Sequence, residues 1–102
     1  MKYNVIITDL ATITSEYNLI FLRNFNPSYS LKIKKCITEN IRSLTTFPHS
    51  HAIYKNINNC IYRKLIINNL YHIIFTVKEN CVFVFYVNDA RRAYDVYLPY
   101  LK

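Results

Sequence analysis

Tyr62-Arg63-Lys64-Leu65-Ile66-Ile67, then Asn68-Asn69, then Tyr71-His72-Ile73-Ile74-Phe75-Thr76-Val77, and after Lys78-Glu79-Asn80 the run Cys81-Val82-Phe83-Val84-Phe85-Tyr86-Val87 form the stretch that decides the fold. β-branched and aromatic residues dominate all three apolar runs, and each is short enough to be a strand. Asn68-Asn69 is a turn signal between the first two. Lys78-Glu79-Asn80 reads as a tight hairpin loop, with Asn80 suited to a left-handed conformation. The third run is apolar on both faces, which predicts a central strand.

Upstream, the segment 48–60 has no period and reads as a loop, with His49 and His51 on it. Before it the spacing becomes helical. Ile33, Ile37, Ile41 and Leu44 form one stripe, with Lys32, Lys35, Glu39 and Arg42 on the other side, and Pro48 ends the segment. Asn26-Pro27 starts that helix, asparagine as cap and proline in the first turn. An earlier helix places Leu10, Ile13, Tyr17, Ile20, Phe21 and Phe25 on one face, and Thr8 or Asp9 can cap it. So short a link between the two helices predicts an antiparallel hairpin. Residues 3–8 read as a first strand. At the far end Asp89 can cap a short helix from Ala90 to about Leu98, ahead of Pro99.

The expected order is β-α-α-β-β-β-α over a single domain spanning residues 1–102. The fold class is α+β: a small antiparallel-rich sheet with the N-terminal helical hairpin packed on one face and a short C-terminal helix. The other face is expected to be partly open, flanked by the segment 48–60 and the C-terminal residues.

Composition narrows the chemistry. Thirteen Lys and Arg against six Asp and Glu give a net charge of +7 on 102 residues, which favours a polyanionic partner: nucleic acid, an anionic surface or an acidic protein. The absence of glycine removes the phosphate-cradling loop and the dinucleotide fingerprint, both of which need backbone without a Cβ. Cys36, Cys60 and Cys81 are isolated, so buried reduced thiols are expected, and His49 and His51 lack a cysteine pair at zinc-ligand spacing. No metal and no cofactor is expected. No apolar run approaches the roughly 18–20 residues of a membrane span, and the N-terminus is too short in apolar length for a signal peptide, so the cytoplasm is the expected location.

The chain resembles the RelE/ParE superfamily of toxins from type II toxin–antitoxin (plasmid stabilisation) systems. The resemblance runs over nearly the whole length and is strongest at Tyr62–Asn69, Tyr71–Val77 and Cys81–Tyr94, where a basic strand, a tight turn, two apolar strands and an Arg91-Arg92 corner follow in the family's order. Ser43-Leu44-Thr45-Thr46-Phe47-Pro48 resembles the end of the family's second helix. The chain departs from the pattern at His72, where the family usually has arginine, at Ala90, where it often has glycine, and at Leu70, which lengthens the first hairpin turn.

The resemblance implies one of two activities. One branch is a metal-independent endoribonuclease (an mRNA interferase) that cuts mRNA on the ribosome by attack of a ribose 2′-hydroxyl on the adjacent phosphate. The other is a DNA gyrase inhibitor without nuclease activity. Both branches imply an acidic antitoxin as partner. Cleavage needs a base, an acid and cations for the charge on phosphorus. The catalytic candidates are Arg91, His72, Tyr97 and Lys64, and the candidates for RNA binding are Arg63, Arg92 and Tyr94. Arg91 matches the family's corner arginine and would clamp the scissile phosphate; the alternative is a solvated arginine at a helix start. Tyr97 has the spacing of a base-stacking or proton-transferring tyrosine, whereas Tyr94 fits the gyrase branch; either could instead pack a last helix. His72 is the imidazole on a strand, in step with Ile74 and Thr76, and is read either as acid or base or as a hydrogen-bonded edge histidine. Arg63 and Lys64 alternate faces, so at most one points into a site.

Overall fold

The computed structural model describes residues 2–69 and 71–89. The elements run β1 (Asn4–Ile7), α1 (Asp9–Phe25), α2 (Pro27–Ser43), a 3-10 turn (Pro48–Ser50), β2 (Ala52–Ile57), β3 (Cys60–Ile67), β4 (Tyr71–Lys78) and β5 (Cys81–Asp89). One five-stranded sheet has the order β1-β5-β4-β3-β2. β1 lies parallel to β5 and every other pairing is antiparallel. The α+β class and the helical hairpin against one sheet face are as the sequence predicts.

Local chemistry accounts for the helix boundaries. Thr8 caps α1, its hydroxyl accepting from the Ala11 N–H. Asn26 closes α1 through its own N–H to Leu22 O, and its side chain accepts from the Tyr29 N–H to open α2, with Pro27 in the first turn. A single residue thus ends one helix and starts the next, which leaves the antiparallel hairpin as the compact arrangement. Ile33, Ile37 and Leu44 then pack with Leu65, Ile67, Tyr71, Ile73, Phe75, Val82, Val84 and Val87 of the sheet. Each buried aliphatic side chain contributes roughly 1.5–3 kcal/mol.

Three expectations need correction. The segment expected as a loop contains β2, paired to β3 with a bulge at Tyr54. Its alternation is broken by that extra residue, so no period shows in the sequence. In the Lys78-Glu79-Asn80 loop the left-handed residue is Glu79 (φ 56°), not Asn80. Most far-reaching, α1 is turned over relative to its apolar stripe. Ile13 is 63% exposed, and Tyr17, Ile20, Phe21 and Phe25 are exposed with it, while Ala11, Thr14, Asn18 and Leu19 face inward. The reason is a polar tie. The Val87 N–H donates to Thr14 Oγ1 (2.9 Å), and Asn18 Nδ2 donates to Val87 O (3.2 Å). Those bonds satisfy backbone groups of β5 that would otherwise be buried unpaired. The C-terminal helix expected from Ala90 to about Leu98 lies outside the described residues.

With no glycine in the chain, asparagine supplies the left-handed residues of the described turns other than the one at Glu79. Asn58 and Asn59 between β2 and β3, and Asn68 and Asn69 after β3, all have positive φ. Asparagine tolerates that region because its short amide can bond locally.

Candidate functional site: the sheet face away from the helices

Strand register sorts the candidate residues between the two faces. Across β3 and β4, Leu65 pairs with Ile73, Lys64 with Ile74 and Ile66 with His72. Because successive side chains alternate, Tyr62, Lys64 and Ile66 share a face with His72, Ile74 and Thr76. Arg63, Leu65 and Ile67 point to the helical side. Between β4 and β5, Ile74 pairs with Tyr86 and Phe75 with Val84, so Phe85 is the extra residue of a bulge. The bulge resets the alternation. Tyr86 and Asn88 therefore join His72 on the face away from the helices, and Val87 turns back towards α1.

The structure brings together Lys64 and His72. Lys64 opposes Ile74, two residues along β4 from His72, so the two are diagonal neighbours, a separation long side chains span. His72 has Ile66 on one side and Asn88 on the other. Partial burial, and then the Lys64 ammonium, hold its imidazole below the usual histidine value. The neutral ring is thereby favoured near pH 7, the form that can accept a proton. Asn88, almost fully buried beside it, was missed by sequence reasoning. Only a count carried through the Phe85 bulge would have placed it there.

Arg63 is not with them. On the helical side, its guanidinium donates to the carbonyls of His51 (2.8 Å) and His49 (3.4 Å), fastening the entry to β2. His51, on the segment expected as a loop, is half-buried with its ring edge-on to Phe75 (centroids 5.8 Å apart), and burial followed by Arg63 lowers its pKa. His49 is exposed and stacks edge-on with Tyr3. Arg91, Arg92, Tyr94 and Tyr97 lie outside the described residues.

The face away from the helices is partly open, as expected, but its centre is filled. Tyr62, Ile74 and Tyr86 are each 0% exposed and form a second, smaller core there, with Leu10, Tyr54, Ile57, Cys60 and Phe85 packed against it. The Tyr62 and Phe85 rings meet edge-on at 5.5 Å. Both bulges contribute, because Tyr54 and Phe85 are the residues they displace. The accessible residues of this face include a corner made by Lys64, Ile66 and His72, all at least partly exposed. Chemically, that corner offers one cation, one neutral imidazole and an apolar surface between them. Among the described residues no group of three His, Cys, Asp or Glu could hold a metal ion.

The distribution of charge is uneven over the helices. α2 carries Lys32, Lys34, Lys35 and Arg42 against Glu39 alone, and all five are exposed. α1 carries Asp9 and Glu16 against Arg23. A groove lined by Leu19, Arg23, Ser30, Leu31 and Lys34 runs between the two helices. No helix of the described residues is long and apolar enough to cross a membrane.

No family model matches this chain, and neither does any curated protein sequence. Among solved structures, a chain of the chromosomal ParDE TA system from P. aeruginosa is similar over 88% of this chain and 98% of that one, with a TM-score of 0.73 and 15% identity. At that identity the likeness establishes a shared fold.

Proposed function

We propose that this chain is the toxin of a type II toxin–antitoxin module, acts in the cytoplasm, and is held inactive by an acidic antitoxin. The observation that carries the reading is the fold: a chain of a ParDE TA system has the same architecture over 98% of its length. The net charge of +7 supports it, because an acidic, partly disordered chain gains steering and affinity from such a partner as it folds on binding. The basic outer face of α2, with Lys32, Lys34, Lys35 and Arg42, suits that chain, and β2, an edge strand among the described residues, suits an added strand.

For the activity, the corner on the sheet supports metal-independent cleavage of mRNA on the ribosome. His72, neutral near pH 7, accepts the 2′-hydroxyl proton, and Lys64 offsets charge on the phosphate. Arg91 is the proposed phosphate clamp and Tyr97 the stacking or proton-transferring partner, with Arg92, Tyr94 and Arg63 as further contacts to RNA. Arg63 lies on the opposite face of the sheet from this corner, so its contact would be to RNA passing round that side, with its bonds to His49 and His51 released. The second reading, a DNA gyrase inhibitor, is favoured by the apolar packing around Tyr62, Ile74 and Tyr86. A face largely filled with side chains leaves little room for a nucleotide and suits action by protein contact.

Induction of the chain without its partner separates the readings. Loss of translation with cleaved messages, relieved by His72→Ala, Lys64→Ala or Arg91→Ala in proteins that remain folded, is the expected result. DNA breaks, filamented cells and intact messages would replace the nuclease with the gyrase inhibitor. Unaffected growth on induction would remove the toxin reading altogether.

A further inference from the structure

The link between α2 and β2 gathers cations and rings at one place. Thr45 joins them. Its carbonyl accepts from the Tyr3 N–H (2.7 Å), and its own N–H (3.2 Å) and hydroxyl (2.9 Å) donate to Arg42 O. Lys2, one residue before Tyr3, is thereby brought beside the last turn of α2, where Arg42 sits. Both cations are exposed, and neither makes an ion pair among the described residues. Phe47 comes two residues after Thr45 and is 71% exposed. Its backbone is pinned. The Phe47 N–H donates to Ser43 O (3.4 Å), its carbonyl accepts from the Ser50 N–H (3.4 Å) and hydroxyl (2.9 Å), and the next residue is the buried Pro48. His49, also exposed, meets the Tyr3 ring edge-on with centroids 5.9 Å apart. Residues 1–8 and 40–51 contain no carboxylate side chain. Of those in adjoining elements, Glu39 is already paired with Lys35 (4.0 Å), and Glu79, in the loop beside β1, is next to Lys78.

We propose that this surface binds single-stranded RNA, with one base stacked on Phe47 and the neighbouring phosphates against Arg42 and Lys2. A single exposed aromatic is ordinary on a protein surface. This one is fixed by its backbone bonds and has two unpaired cations beside it, which is the pairing of π-face and positive charge that a single strand needs. An unpaired base offers a flat face to the ring, and the guanidinium fork suits phosphate oxygens. A duplex keeps its bases stacked inside, out of reach of the ring. An acidic peptide would satisfy Arg42 and Lys2 but makes no use of the ring. Because the backbone of Phe47 is already held, little further ordering is needed on binding. Tyr3 packs with the core beneath the helices, so the surface lies on the opposite side of the sheet from the Lys64–His72 corner. The inference does not rest on the cleavage proposed there, and its test involves neither growth nor cleavage.

Fluorescence anisotropy of the full chain with a short labelled oligouridine tests it. Methylation of every 2′-oxygen keeps the probe from being cut by 2′-hydroxyl attack. The oligouridine should bind at low salt. Phe47→Leu keeps an apolar side chain at this exposed position and removes the π-face, so it should weaken binding by about fivefold or more, whereas Phe47→Trp should retain it. Arg42→Ala should reduce the slope of log affinity against log salt by about 0.7, the share of one phosphate on a single strand, and Phe47→Leu should leave that slope unchanged. The same strand annealed to its complement should bind without regard to Phe47. Absence of binding at low salt would overturn the proposal, as would binding indifferent to Phe47→Leu or a salt slope unmoved by Arg42→Ala. Binding lost on Lys64→Ala but kept on Phe47→Leu would overturn it by placing the strand at the corner on the other face. Polyglutamate that binds as tightly as the oligouridine, and loses as much on Phe47→Leu, would overturn it by assigning the surface to an acidic protein.

Discussion

Exchanging the roles of two adjacent residues in α1 gives the sharpest test of the fold. Thr14 is 5% exposed and Ile13 is 63% exposed, the reverse of what their polarity suggests. Thr14→Val keeps the shape of the side chain and removes the acceptor for the Val87 N–H, which lies 2.9 Å away in the interior. Leaving such a donor unsatisfied costs about 1–3 kcal/mol. The hydroxyl's own bond to Leu10 O (2.8 Å) adds little to the loss, because the helix already uses that carbonyl. At a central value of about 2 kcal/mol, Tm should fall by roughly 8–16 °C for a domain of this size. Ile13→Ala removes an exposed side chain and inserts the best helix former, so its effect should stay within about 0.5 kcal/mol. Were the apolar stripe of α1 the buried one, Ile13→Ala would cost about 2–5 kcal/mol and Thr14→Val almost nothing. Urea titrations followed by circular dichroism read both changes. A larger loss for Ile13→Ala than for Thr14→Val would refute the orientation of α1.

Thr8→Ala should cost about 1 kcal/mol in the same titration, since the hydroxyl caps α1 at Ala11 N and also donates to Val84 O (2.9 Å) and Phe85 O (3.0 Å). Glu79→Gly should stabilise by roughly 0.5–1 kcal/mol, because glycine takes a φ of 56° without the steric cost that glutamate carries, less its greater entropy in the unfolded chain. Stability should also fall on acidification. His51 and His72 both have folded pKa values below 6.5, through burial first and a neighbouring cation second. The unfolded chain therefore binds more protons as pH drops through about 6.5, and the contribution of the neutral imidazoles, complete above that value, is lost as pH falls towards their folded pKa values. Denaturant midpoints measured between pH 5 and 8 should show this slope, and His72→Gln should flatten part of it; an unchanged slope would mean that His72 is not held neutral by its surroundings.

Much of the fold can be read from neighbouring residues alone. The three apolar runs after Tyr62, the Asn26-Pro27 boundary between helices, the stripe Ile33-Ile37-Leu44 and the α+β class follow from local periodicity and turn chemistry, forces that act within a few residues of chain. So does the separation of Arg63 from Lys64, since alternation along a strand is a local property; that it is Lys64 which shares the His72 face was decided by the register between β3 and β4. The bulges at Tyr54 and Phe85 are different. Each extra residue is accommodated by the partner strand, and it decides whether Tyr86 and Asn88 face the helices or His72. The orientation of α1 was likewise settled between distant residues. Local amphipathicity directs Ile13, Tyr17 and Phe21 inward, yet unsatisfied backbone groups at Val87 draw Thr14 and Asn18 into the interior instead, across more than sixty residues of chain. Sequence by itself determined most of the described elements, β2 excepted, and their charge; which side of a helix is buried, and which face of the sheet is filled, depended on hydrogen bonds and register that exist only once the chain has folded.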